Sequence, residues 1–365
     1  MRYLVLNLII LTSLFFVSCS REDSQFANES KLSERWDAAN DPFHLNSSYI
    51  RFLAQLPTQG RLAKTPWSDS YWPSTQAGVS QRWNWQQVNQ FQYGVYPAQQ
   101  LQNMTIEQLK FLSPAEKFDI LNMRYDYPLV FAERARTSPY AQGWEGLCHG
   151  WAAAALIFDE PKPVVMTNAH GIAIPFGSSD IKALLTYYQG QIGQSRQIVL
   201  GTRCDIDIRA NPQAANSPAC TDTNAGAFHI VLANQIGLMG EGFVADITRD
   251  AQVWNQPVHG FRSQIIRQQR PSRGAAFGTV KEVVVRTLME FTVEVQPNWN
   301  PLLRTEGQAN NTETYDYRLE LDANDVIIGG EWLSGNRPDF LWKQAAPQIK
   351  PGWEKLELLH IKSIR

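Results

Sequence analysis

Neither sign of charge dominates this 365-residue chain: 33 Lys and Arg stand against 35 Asp and Glu, a formal net charge of -2. A chain with no basic excess lacks the electrostatic footprint for nucleic acid or an anionic membrane surface, which excludes polyanionic partners. Internal repeats are missing, and with them repeat architectures. No His and Cys residues fall at zinc spacing, and His170 and His259 read as loop residues without a metal partner. Hydrophobic runs long enough to span a bilayer are also missing. The longest, Leu4 to Val17, covers about fourteen positions, short of the roughly twenty a spanning helix needs.

That short run follows Met1-Arg2 and ends Phe16-Val17-Ser18-Cys19, a small residue directly before a cysteine. It reads as a lipoprotein signal peptide over 1–18, with Cys19 acylated and cleaved to become the N-terminus, and simple secretion as the alternative. The expected location is the cell envelope, as an outer-membrane lipoprotein tied to the membrane through Cys19, or outside the cell. Residues 19–40 are polar and charged and are expected to form a disordered tether. Residues 41–365 then form the globular domain, large enough for a substantial core. Cysteine is scarce, four in all. Cys204 and Cys220 form a plausible disulfide in an exported protein, with free thiols as the alternative, and Cys148 is left unmatched.

From Asp41 to Leu101 the text is rich in Trp, Tyr, Gln and Pro without a period, which predicts an irregular segment whose aromatics cover a core face or line a groove. Two short helices follow, 105–112 and 114–123, the second opening on Ser113 as N-cap with Glu116 three residues on. An alanine-rich, apolar helix starts at Cys148, and its lack of a polar face makes it central. A further helix over 181–188 is announced by Ser178-Ser179-Asp180. Strands are expected at 227–233, 242–247, 283–295, 315–321 and 326–328. Helices first and an antiparallel sheet after give an α+β fold. A nucleophile helix packed on such a sheet is the layout of papain-like thiol enzymes.

A thiol needs help to ionise, from a helix N-terminus or an adjacent imidazolium, and Cys148 has the first by position. Gln142 lies six residues upstream, the offset at which papain-like enzymes place an oxyanion-stabilising amide. His229 is the expected base and Asp246, on the next strand, its orienting partner. His149 sits about 100° round the helix from Cys148 and is expected to pack rather than react. Each residue has a plainer reading: Cys148 as an inert core thiol, His229 as a satisfied sheet histidine, Asp246 as a turn cap. The types in this chain order are what point to chemistry. No cofactor is required by this pattern. Asp205, Asp207 and Asp222 could hold calcium, although the Gly and Glu positions of an EF-hand are missing and solvated loop acids are the commoner case.

Val253-Trp254-Asn255-Gln256-Pro257-Val258-His259-Gly260-Phe261-Arg262 resembles the surface peptide of the transglutaminase elicitor family, the oomycete cell-wall transglutaminases. The family typically has Arg where His259 stands and Lys where Arg262 stands, and Ser263-Gln264-Ile265 departs altogether, so recognition by plants is not carried over. Gly146-Leu147-Cys148-His149-Gly150-Trp151, Gly226-Ala227-Phe228-His229, Asp246, Gly329-Gly330-Glu331-Trp332 and Pro338-Asp339-Phe340-Leu341-Trp342 extend the resemblance across most of 140–345. It implies a thiol acyltransferase on a papain-like fold, moving a glutamine acyl group to a lysine or small amine through a Cys148 thioester. Water in place of the amine would make it a glutamine deamidase, and attack on a peptide bond a cysteine protease. A non-catalytic surface protein that binds through its aromatics is the alternative of a different class.

Overall fold

The computed structural model describes residues 36–365, apart from 85, 194, 209, 218, 219 and 221. The signal peptide, Cys19 and most of the expected tether lie outside these residues. The tether's last residues do not: Asn40 is buried, and its side chain bonds the Asp222 carbonyl and the Asn224 N–H. The ordered body therefore begins before residue 41.

Among the described residues, α-helices span Ala98–Leu101 (α1), Ile106–Lys110 (α2), Pro114–Leu121 (α3), Pro128–Arg136 (α4), Cys148–Ile157 (α5), Ser178–Tyr187 (α6), Ala225–Val231 (α7) and Glu354–Ser363 (α8). Strands are Gln59–Arg61 (β1), Val164–Thr167 (β2), Ala173–Phe176 (β3), Gln197–Gly201 (β4), Phe243–Asp246 (β5), Asn255–Gln269 (β6), Lys281–Thr292 (β7), Asn310–Leu321 (β8), Ile327–Trp332 (β9) and Phe340–Gln344 (β10). The reciprocal capping box at α3 is present, Ser113 with Glu116. An antiparallel sheet runs β4-β10-β5-β6-β7-β8-β9, with β1 added on β6, while β2 and β3 form a separate ribbon. This is the expected α+β arrangement with the Cys148 helix against the sheet.

The sheet divides the interior into two cores, and its strands alternate between them. In β5, Phe243 and Ala245 point into one and Val244 into the other; in β10, Leu341 and Trp342 divide the same way. Val244 and Trp342 share their side with α3, α5 and α6, whereas α7 packs on the opposite face against β8 and β9. Two close approaches fix these helices. A Cβ on Gly150 would lie 2.3 Å from the Thr186 carbonyl oxygen, so α5 can meet α6 backbone to backbone. A Cβ on Gly226 would lie 2.3 Å from the Gly329 oxygen, which seats α7 on β9.

The Trp-rich segment is irregular, as expected, and much of it is interior. Trp67 and Trp72 are buried, and Trp67 donates its indole N–H to the Phe158 carbonyl at the end of α5.

One strand expectation and one loop expectation need correction. Residues 225–231 are helix α7, not strand. Asn224 caps it, its Oδ1 accepting from Gly226 N at 2.8 Å and Ala227 N at 3.3 Å. An apolar run buried on all sides carries no period, so the cap was the deciding signal. His259, expected in a loop, lies within β6 and is buried.

Candidate active site

Cys148 is the first residue of α5, where the opening N–H groups of a helix have no intrahelical partner and the dipole favours negative charge. The approach to it is pinned by Tyr71, whose carbonyl accepts from Leu147 N at 2.6 Å and whose hydroxyl donates to the Gly143 carbonyl at 2.7 Å. The thiol is buried, 6% exposed. It donates to the Val253 carbonyl at 3.6 Å and accepts from Asn255 Nδ2 at 3.6 Å. Asn255 Oδ1 in turn accepts the indole N–H of Trp342 at 2.7 Å. Burial pushes the thiol up to about 11, against the opposing effect of the Asn255 bonds; the charges of Glu294 and Asp246 raise it further. In this closed arrangement the sulfur is a neutral thiol at pH 7.

The site opens onto a cavity of about 580 Å³ walled by Trp144, Phe340, Trp342 and Val253, with Glu145 and Arg203 among its polar lining. His149 lines it too. It is half-buried, its Nε2 lies 3.3 Å from Gln191 Nε2, and burial lowers its pKa. Trp254 leans on Tyr71 with ring centroids 5.9 Å apart.

His229 is not brought to Cys148. It lies on α7, across the sheet, where its Nδ1 meets the Tyr317 hydroxyl at 2.7 Å; Tyr317 in turn is 2.7 Å from Thr287 Oγ1. Desolvation lowers its pKa to about 4, so the ring is neutral. The physical reason is the helix in place of the expected strand: α7 carries the residue into the other core. Among the described residues, no imidazole is hydrogen-bonded to Cys148.

Gln142 is exposed. A turn closed by Glu145 N on the Gln142 carbonyl at 3.0 Å folds it outward, and the side-chain amide at the sulfur belongs to Asn255. Asn255, Trp342 and Val253 were not anticipated as site residues. They lie within the strings that carried the resemblance, but no spacing rule announces a contact across 107 residues.

Asp246 is brought near the thiol in a different role. It ends β5 directly opposite Asn255, and its Oδ1 accepts from Thr248 N at 3.1 Å, Thr248 Oγ1 at 3.0 Å and Trp254 N at 3.0 Å. The carboxylate thus clasps the 247–254 loop that sets Val253 against the sulfur. Burial raises its pKa to about 7, and its Oδ2 has no partner. Asp246→Asn should therefore leave Cys148 alkylation by iodoacetamide within about threefold of wild type, because the amide oxygen can accept the same three bonds. Asp246→Ala should cost about 1–3 kcal/mol and speed alkylation several-fold by releasing the loop. Thermal melts with timed alkylation check both; unchanged alkylation in a folded Asp246→Ala protein would refute the clasp.

Cys204 and Cys220 are joined in a disulfide. The three loop acids are dispersed: Asp205 pairs with Arg203, Asp207 accepts from Ala210 N, and Asp222 is held by Arg249 and Arg337. Among the described residues no group of three or more His, Cys, Asp or Glu could hold a metal ion. Nor is any described helix long and apolar enough to cross a membrane.

No curated protein matches the chain. Among solved structures it is similar to the GP42 transglutaminase from Phytophthora sojae, with a TM-score of 0.64 at 21% identity, over 90% of this chain and 98% of that one. That likeness concerns the fold. The family model named transglutaminase elicitor matches residues 130–356, from α4 through the Cys148 helix and the whole eight-stranded sheet except β1 to the start of α8, so this chain is a member of the transglutaminase elicitor family.

Proposed function

We propose that the protein is a thiol acyltransferase of transglutaminase type, acting on protein glutamines with a lysine or small amine as acceptor. The observation that carries the proposal is the Cys148 sulfur at a helix N-terminus, facing an amide donor and bordering an aromatic-walled cavity. In the proposed reaction the sulfur attacks the glutamine carboxamide, its proton leaves with the departing ammonia, and an amine resolves the thioester. Two N–H sources suit the oxyanion, the start of α5 and the Asn255 amide. The apolar walls favour an amine over water at the thioester, and Glu145 offers the ammonium a counter-charge on the way in. His149, Glu294 and Asp246 are the titratable groups available to move protons.

The Cys204–Cys220 disulfide supports export to an oxidising compartment. Attachment through a lipid on Cys19 belongs to the same proposal, and mass spectrometry of the mature N-terminus would decide it.

The reading is tested by incubating the purified protein with a fluorescent amine and a glutamine-rich protein as acyl donor. Conjugates formed with release of ammonia are the expected result. Ammonia without conjugates would mean a deamidase, and fragments a protease. A specific observation favours a second reading: the thiol is buried, neutral and without a bonded imidazole. This fits a non-catalytic surface protein, and a complete lack of thiol-dependent product across acceptors would establish it.

A further inference from the structure

The contact between Trp342 and Asn255 determines more than packing. An amide side chain can present either its oxygen or its NH₂ to a neighbour, and the two orientations differ little in shape. An indole N–H can only donate. With Trp342 Nε1 2.7 Å from the far end of the Asn255 amide, that end must be the oxygen, and the NH₂ is left facing Cys148 Sγ. Both side chains are buried, at 2% and 3% exposure, so water does not compete for either bond. The three residues come from three elements, β10, β6 and α5, and line one cavity.

We infer that Trp342 is a positioning residue: its indole fixes the Asn255 amide so that this side chain always presents the sulfur with a donor and never an acceptor. The distinction matters because, apart from the helix N-terminus and the Asn255 backbone N–H, the nearest groups around the thiol oppose its ionisation. Glu294 and Asp246 approach as carboxylates from β6's two flanks, the Val253 carbonyl accepts from the thiol itself, and Tyr71 lies within electrostatic reach. Arg136, Arg203, Glu145 and His149 line the cavity beyond them. An Asn255 amide free to rotate would add a carbonyl oxygen to this acceptor-rich ring, and the thiolate would lose its side-chain donor.

The inference builds on Cys148 as the proposed nucleophile but is tested without any acyl substrate. Trp342→Phe keeps an aromatic filler and removes the donor. Iodoacetamide alkylation of Cys148 should slow about tenfold at every pH from 7 to 9, the rate–pH line shifting in parallel by about one unit toward higher pH, as expected for loss of one bond to an ionised group. A purely structural role predicts the opposite sign, since loosened packing exposes the thiol and speeds alkylation. Hydrogen exchange of the 247–254 amides, expected to stay at the wild-type rate, controls for access. Asn255→Asp is the second variant: one oxygen still accepts from Trp342, the other faces the sulfur, and alkylation should slow at least as much. Wild-type or faster alkylation in either folded variant, or slowing fully matched by slower exchange, would overturn the inference. If these results hold but no acyl transfer is found, the positioning role stands and the transferase reading fails.

Discussion

Replacing Cys148 by alanine is expected to abolish amine incorporation, lowering it by on the order of a thousandfold or more, while the melting midpoint moves by only a few degrees. The size of the kinetic effect follows from the chemistry. A nucleophile that forms the covalent intermediate has no substitute in a site whose remaining groups can only stabilise charge and move protons. The smallness of the stability effect follows from the packing. The sulfur's bonds to the Val253 carbonyl and the Asn255 side-chain amide are weak, each 3.6 Å long. Losing it removes one buried atom, worth about 1 kcal/mol, or roughly 2–4 °C in a domain of this size. Amine transfer and calorimetry on the same preparations measure both. Transfer retained by a folded Cys148→Ala protein would remove Cys148 from the chemistry.

His229→Ala is expected to do the reverse. The ring is carried by α7 into the core on the far side of the sheet from Cys148, in contact with Tyr317. Truncation opens a cavity and leaves the buried Tyr317 hydroxyl short of one partner, a loss of about 2–4 kcal/mol. Thiol reactivity of the folded fraction should be unchanged at low temperature. A general base would behave differently, with transfer down by about 10²–10⁴-fold and stability near normal. The pH dependence adds a second check. The His229 pKa is about 4 in the folded protein against an ordinary 6.5. Below pH 6.5 the unfolded chain therefore binds a proton that the folded one refuses, and stability is lost as pH falls from 6.5 through 4. In His229→Gln that acid-side loss should be shallower; an identical acid limb would mean that the histidine is already protonated in the fold.

The contrast between these two residues shows how far local rules reach. The start of α5, the α3 capping box and the helical alanine run are short-range effects, decided by capping and propensity within a few residues, and all are legible in the sequence. So are the long β-branched strands and the pairing of Cys204 with Cys220. The stretch from Ala225 to Ala233 was misleading because it is apolar and buried on every side, so neither a period of two nor one of 3.6 stands out. Asn224 was the one local signal for a helix there.

The sequence alone determined the fold class and the place of Cys148 at a helix start, because both rest on patterning and caps that act between near neighbours. Tertiary structure decided what surrounds the sulfur: the Asn255 amide oriented by Trp342, the loop clasped by Asp246, and His229 on the other side of the sheet. Those outcomes depend on which face of a strand meets which helix, and that is set by packing between segments some hundred residues apart, which no local pattern encodes.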